Sequence, residues 1–535
     1  MKSDRLWLLL LFIAAVILYT FNLGELPLRD WDEGTVAGVA RNIWRGGLNS
    51  NVWLHPTINY DQPYWNKPPL IHWLIAISYS WFGISEWSSR IIPALLSAIS
   101  VPLVYKIAEE VFRDSPSSYQ SSEVSLNKNR ISATAIFSAL VYLTLLPMVR
   151  HGRLAMLDGA IALWLTFTIW CLLRSRYFPS YVLGVGTGLG LICLTKGMMM
   201  GVLLGAIAII FTVWDAPKLV KSSYFWGALF LGTIPAIAWY VLQYLHYGQA
   251  FLGINLGQQT FNRIWQPVSN THPPWYYLVE ITKYTLPWLL FLPGGIKLAI
   301  KNLHSSWAKL TLVWSGIYLL AISVMVTKLP WYVIPIYPAF ALLVGANLGQ
   351  IWQNNRYQHH SWQKIALWFL SVVCWAGSIY YGWFNNPIDR NLQLAFAFLG
   401  LGLTVAAILL GKNSRYFAIA IITGLYCALL LLFNSQHWVW ELAEAYPVKP
   451  VAAMLQQNTP PRQVIYTTDT IIRPSLEFYS DRVVRPLSDR DLPQLWQQET
   501  PVYLLVNPEK IESLGLENAK ILGNSVTWQL ITRSD

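Results

Sequence analysis

Residues 29–34 read Arg29-Asp30-Trp31-Asp32-Glu33-Gly34, and residues 64–70 read Tyr64-Trp65-Asn66-Lys67-Pro68-Pro69-Leu70. The stretch from Arg29 to Pro69 gathers Asp30, Asp32, Glu33, Arg41, Arg45, Asp61 and Lys67 between two strongly apolar regions. Carboxylates and a lysine set among aromatic rings admit two readings. They mark a hydrated loop at a membrane surface, where charge and Trp collect in any case, or they form a place for acid/base work on a sugar beside a phosphate. The rest of the chain decides the setting.

Only 12% of the 535 residues are charged and 54% are hydrophobic. Soluble domains carry about a quarter charged residues, so this is a polytopic α-helical membrane protein. The net charge of +11 is spread over short loops between apolar runs. That pattern follows the positive-inside rule, and the want of a clustered basic face excludes nucleic acid as a partner. Cys171, Cys193, Cys374 and Cys427 all lie inside apolar runs, lack metal-ligand spacing and read as packing residues.

Outward from the charged loop, Leu6 to Phe21 is just long enough to span and follows Lys2 and Arg5. It reads as a retained first helix with a cytoplasmic N-terminus. Further apolar runs recur at about 87–112, 131–149, 153–173, 180–196, 198–214, 222–246, 283–300, 307–327, 331–352, 364–384, 391–411 and 415–436, about thirteen spans in all. Alternate connections carry the basic residues, among them Lys128, Arg130, Arg174, Arg176, Lys218, Lys301, Arg356 and Lys412. The alternation puts the first loop (22–86), the loop near 247–282 and the C-terminal region on the extracytoplasmic side. Ser-rich Asp114 to Asn129 reads as a flexible connector.

Beyond Ser435 the composition changes. Val464-Ile465-Tyr466, Val502 to Val506 and Thr527 to Ile531 read as strands, with helices near 448–457 and 488–498. The expected division is therefore a transmembrane domain over 1–436 and a small extracytoplasmic α/β domain over 437–535. The latter lacks a glycine-rich phosphate loop and reads as a packing or acceptor-positioning lid.

The ionisable residues then fall into groups. Asp32 and Glu33 precede an interfacial helix expected over Thr35 to Trp44, where they either favour its dipole or offer a general base to an acceptor hydroxyl. Lys67, ahead of two prolines that hold the chain extended, either snorkels to headgroups or holds a phosphate. Arg153 and Asp158 stand near the outer end of a span, as an ion pair or as part of a site wall. Lys196 and Lys328 fall at outer ends of spans and are candidates for the same mouth.

Taken in order, several motifs together resemble glycosyltransferase family 39. They are Asp32-Glu33 with Ala37, Ala40 and Arg41; Pro63 to Leu70; Arg153-Leu154-Ala155 with Asp158; Leu194-Thr195-Lys196-Gly197; Pro274-Trp275-Tyr276-Tyr277-Leu278; and Lys328-Leu329-Pro330-Trp331-Tyr332. The likeness is nearest to the bacterial undecaprenyl-phosphate aminoarabinose transferases of lipid A and more distant to the protein O-mannosyltransferases. It implies the GT-C fold, a polyprenyl-phosphate sugar donor and an extracytoplasmic active site in the plasma (inner) membrane. It makes Asp32, Glu33 and Asp158 the catalytic candidates, and Tyr64, Lys67, Arg153, Lys196, Arg263 and Lys328 the substrate-binding ones.

This sequence departs from the aminoarabinose pattern at Thr35 and Val36, and at Asn66, where that pattern has Glu before the lysine. The reaction class survives these changes, but the sugar and the lipid A acceptor do not follow. The acceptor is a glycolipid, a polysaccharide or a protein. Cations at a lipid phosphate make it a leaving group with no cofactor and no obligatory metal, a divalent ion remaining an option, and inversion is expected. The competing classes are a lipid-linked sugar flippase, which calls for repeats or broken helices in matching halves, and an oligosaccharyltransferase, which calls for a larger soluble domain and a metal-binding carboxylate set.

Overall fold

The computed structural model describes residues 2–47, 50–113, 124–266, 272–353, 361–438, 440, 446–469, 472–488, 490–497, 501–509, 511, 516 and 518–534, with the side chains of 2–3 and 124–132 excluded. The connector residues 114–123, Arg356 and the side chains of Lys128 and Arg130 lie outside the described residues. From Val124 onward the chain is helical. Two compact units emerge. One comprises Met1–Asn22, Trp65–Ile71 and Pro93–Trp438; the other comprises Leu23–Tyr64, His72–Ile92 and Val439–Asp535. Most of the first loop packs with the C-terminal region in this division.

The first unit is a helical bundle. Among the described residues seven helices are long and apolar enough to cross a membrane, including Ser223–Tyr247, Ser306–Val324, Pro330–Gln353, Ser361–Phe384 and Arg390–Gly411. Tyr181–Lys196 and Phe417–Leu432 are shorter apolar helices. The expected run at 131–149 is broken. Its helix ends at Leu143, and Leu146–Arg153 follows at a 57° bend, with Pro147 in the new first turn. The run at 283–300 is likewise divided into Tyr276–Tyr284, Trp288–Phe291 and Leu292–Lys301. Pro287 and Pro293, lacking N–H groups, account for that interruption.

The Pro330–Gln353 segment is buried along its whole apolar window, whereas Ser361–Phe384 is mostly uncovered. Exposed Phe369 and Val372 on the latter suit contact with acyl chains. Close packing of the former depends on Gly345 and Gly349, four residues apart. A Cβ at either would overlap Ser138 or Thr134 of the neighbouring helix. Small residues at such spacing let backbones approach where water supplies no driving force between helices.

The second unit opens with helix Trp31–Gly46 and a short hairpin of β1 (Thr57–Ile58) and β2 (Gln62–Pro63). Its sheet consists of β3 (Val464–Thr467), β4 (Val483–Pro486), β5 (Tyr503–Val506), β6 (Ala519–Ser525) and β7 (Trp528–Arg533). The order is β4-β3-β5-β7-β6, parallel through β4, β3 and β5 and antiparallel beyond. Alternation along the strands builds two cores. Ile465, Leu505 and Leu530 pack with helix Val448–Asn458, while Leu504, Val506 and Ile531 pack with Leu492 and Trp496.

Candidate active site

In the second unit the Asp-Glu pair divides in role. Glu33 is wholly buried, and its two oxygens accept Nε and Nη2 of Arg90, each at 2.7 Å. It also accepts the Arg29 N–H at 2.9 Å. Arg90 donates its remaining protons to the carbonyls of Leu23, Leu26 and Pro27 at 2.8–2.9 Å. A carboxylate held this way fixes the chain entering helix Trp31–Gly46. Asp32, one residue earlier, is only half-buried.

Asp30 is again buried, accepting Ser475 Oγ and, at 2.8 Å, Arg473 Nη1. Burial raises its carboxyl above the ordinary value, and those two partners oppose the rise. Trp31 between them has φ +23° and is 46% exposed. A non-glycine residue there stores strain of about 1–3 kcal/mol, which persists only where the surroundings over-determine it.

The same helix is tied to the Pro474–Ser480 helix by Arg41, which donates to the Phe478 carbonyl at 2.5 Å. Arg45 forms a two-pronged pair with Asp481 at 2.7 and 3.1 Å. The Asp481 carboxyl is depressed despite partial burial, because Arg45 and Arg41 favour its charged form. Tyr64 is also buried, in a cluster with Val39, Ile43 and Ala76, its ring edge-on to His72 at 5.3 Å. Its ring serves the packing of the hairpin.

In the first unit Lys67 is half-buried in a fastened segment. Asn255 Nδ2 donates to the Trp65 carbonyl at 2.8 Å, Gln259 Nε2 reaches Asn66 Oδ1 at 3.4 Å, and Trp65 meets Tyr247 edge-on at 5.2 Å. Asn255 and Gln259 belong to a π-helical stretch, Gly253–Phe261, a rare geometry that recurs at functional sites.

The chain leaving that stretch carries Arg263. Its backbone carbonyl accepts the Thr327 N–H at 3.3 Å and that of Ile264 accepts the Val326 N–H at 3.0 Å, while Nη1 of Arg263 donates to the Tyr332 hydroxyl at 3.0 Å.

Tyr332 joins the remaining members. The Lys196 ammonium lies over its ring at 5.3 Å from the centroid and pairs with buried Asp158. Tyr318 donates to the Tyr332 carbonyl at 2.8 Å. Asp158, Lys196, Tyr332 and Arg263 therefore form one continuous polar chain within the helical unit. Tyr332 is the member that sequence reasoning missed, although the motif Lys328-Leu329-Pro330-Trp331-Tyr332 contained it.

Asp158 pairs with Lys196, and Arg153 is anchored to the first helix. It is buried, donates to the carbonyls of Leu18 at 2.7 Å and Phe21 at 2.5 Å, and stacks over Phe433 at 4.3 Å. Lys328 is buried too, with Nζ donating to the Met325 carbonyl at 2.5 Å. Burial lowers its ammonium from the ordinary lysine value. Among the described residues no group of three or more His, Cys, Asp and Glu side chains is placed to hold a metal ion.

A family model described as dolichyl-phosphate-mannose-protein mannosyltransferase matches residues 66–122, opening on Asn66 and Lys67. An undecaprenyl phosphate-alpha-4-amino-4-deoxy-L-arabinose arabinosyl transferase of Pseudomonas fluorescens is 25% identical over 64% of this chain and 60% of its own. One from Pectobacterium carotovorum is 27% identical over 74% and 65%. The chain thus spans about three fifths of the length of the curated relatives it matches. In three dimensions, ArnT from Cupriavidus metallidurans, solved bound to undecaprenyl phosphate, aligns over 98% of both chains with a TM-score of 0.76 at 19% identity.

The chain has the GT-C fold. An Archaeoglobus fulgidus oligosaccharyltransferase is a looser likeness, with a TM-score of 0.51 at 11% identity over 95% of this chain and 70% of its own.

Proposed function

We propose that this multi-pass membrane protein is a glycosyltransferase that moves a sugar from a polyprenyl-phosphate donor to an extracytoplasmic acceptor. The observation that carries the reading is the Asn66-Lys67-Pro68-Pro69 stretch. It opens the match to the mannosyltransferase model, and the chain shares the fold of an ArnT solved with undecaprenyl phosphate. Lys67 and Arg263 neutralise the lipid phosphate, and the Tyr332 hydroxyl orients Arg263. Asp32 takes the proton of the acceptor hydroxyl or orients that acceptor, and Asp158 is paired with Lys196.

A phosphate whose charge is met by cations departs readily, because the charge developing on it is stabilised by groups already in place. One base then suffices for a direct displacement at the anomeric carbon, with inversion. About thirteen spans from a cytoplasmic N-terminus put the active site and the C-terminal domain outside the cytoplasm. That is the side the charge alternation favours. The acceptor is a glycolipid, a polysaccharide or a protein, and no cofactor is called for.

Lipid analysis of a deletion strain beside its parent tests this. One glycosylated polyprenyl phosphate should accumulate and one envelope component should lack a sugar. Unchanged lipid-linked sugars and envelope glycans would refute the reading.

A further inference from the structure

Three carboxylates stand within four residues, and the fold treats them differently. Asp30 and Glu33 are buried, 4% and 0% exposed, each engaged by an arginine, while Asp32 between them is half-buried. Glu33 is anchored to Arg90, 57 residues downstream. Asp30 is anchored to Arg473, 443 residues downstream, and to Ser475. The Arg473 guanidinium is itself fixed. It lies 3.8 Å from the centroid of the Tyr446 ring, and its Nε reaches Asp469 at 3.4 Å. At Gly34 the two backbones meet, since a Cβ there would overlap Ser475 and lie 2.8 Å from the Pro474 carbonyl carbon.

With both neighbours of the Trp31-Asp32 dipeptide held, the chain between them adopts the positive φ of Trp31. The backbone that carries Asp32 is then held from both sides. We infer that Arg473 and Ser475, on the far C-terminal sheet domain, are positioning residues for Asp32, acting through the Asp30 carboxylate. The C-terminal domain on this view helps to set Asp32 within the compact unit that the two share. The inference rests on the reading of Asp32 as the carboxylate of the transfer step.

The test uses the full-length protein in nanodiscs. Its donor is the lipid-linked sugar purified from the deletion strain, and membranes of that strain supply the acceptor. Undecaprenyl phosphate is the binding probe.

A displacement of a reacting group by about 1 Å costs roughly 10²-fold. Arg473→Ala should therefore lower kcat by about that factor while leaving affinity for undecaprenyl phosphate unchanged. Arg473→Lys should recover part of the loss, and Ser475→Ala, which retains the arginine, should show a smaller fall in kcat. On an Asp32→Asn background, Arg473→Ala should add no further loss, because the group it positions is already gone.

Full kcat in both Arg473→Ala and Ser475→Ala would overturn the inference. So would an equal further loss on the Asp32→Asn background. Near-normal transfer by Asp32→Asn alone would instead remove the reading on which it rests, so the two failures are told apart.

Discussion

Glu33→Gln should damage the fold and spare the chemistry, the reverse of what is expected for its neighbour Asp32. Glu33 and Arg90 are both 0% exposed, paired through two bonds of 2.7 Å. The substitution keeps the shape and one acceptor, but it leaves the Arg90 charge buried without its counter-ion. Removing one partner of a buried pair costs about 3–5 kcal/mol. The unit that holds the pair has about 160 residues, a size at which 1 kcal/mol moves the unfolding midpoint by about 2–4 °C.

Glu33→Gln should therefore lower the thermal inactivation midpoint of the purified protein by about 10 °C, while kcat per folded molecule at low temperature stays within about threefold, because the retained amide oxygen still accepts from Arg90 and keeps the backbone at Asp32 in place. Arg90→Ala should do worse, since it also strands the carbonyls of Leu23, Leu26 and Pro27. Differential scanning fluorimetry in detergent, paired with a transfer assay on the same sample, measures both quantities. A Glu33→Gln protein with an unchanged midpoint and lost transfer would refute the structural assignment and return Glu33 to the catalytic group.

Other expectations follow from the same geometry. Lys67→Ala should abolish transfer with the midpoint unchanged, as a half-buried lysine contributes little to stability and much to a leaving phosphate; normal turnover by the purified variant would leave Lys67 as a headgroup contact. Burial raises the Glu477 carboxyl to about 7, against the favourable Val484 N–H at 3.0 Å. Its folded value exceeds the unfolded one, so stability should fall as pH rises from about 4.5 to about 7, by about 3 kcal/mol. Glu477→Gln should flatten that slope and raise the midpoint at pH 8, and an unaltered slope would refute the assignment. A reporter that works only in the cytoplasm, fused after Asp535, should be silent; an active fusion would overturn the thirteen-span topology.

The two carboxylates show where reading the sequence stops. Asp32 and Glu33 look alike in the chain, and what separates them is Arg90, far along the sequence and in another helix. Arg153 and Asp158 invite pairing by their spacing, yet the Leu146–Arg153 helix ends between them and each takes a partner brought by tertiary packing. The setting of Lys67 was more legible, because two prolines restrict the backbone around it.

In the C-terminal domain the three inner strands β3, β5 and β7 announced themselves by short runs of apolar, β-branched and aromatic residues. The two edge strands did not. β6 carries Lys520, Gly523 and Asn524, and β4 ends in Arg485 and Pro486, the polar and proline-bearing composition by which edges avoid further pairing. Helix number was hard to read for a similar reason. Hydropathy sees the apolar run at 283–300 and misses that prolines divide it.

The most direct test of the central claim is donor binding and sugar transfer measured on one reconstituted Asp32→Asn protein. The substitution keeps the size and hydrogen-bonding reach of the side chain and removes its charge and basicity. Affinity for undecaprenyl phosphate should be unchanged while kcat falls by about 10²–10⁴-fold, the range a positioned general base supplies. Near-normal transfer would contradict the account, and so would a parallel loss of binding and transfer, the pattern expected of a lipid carrier that needs no proton acceptor.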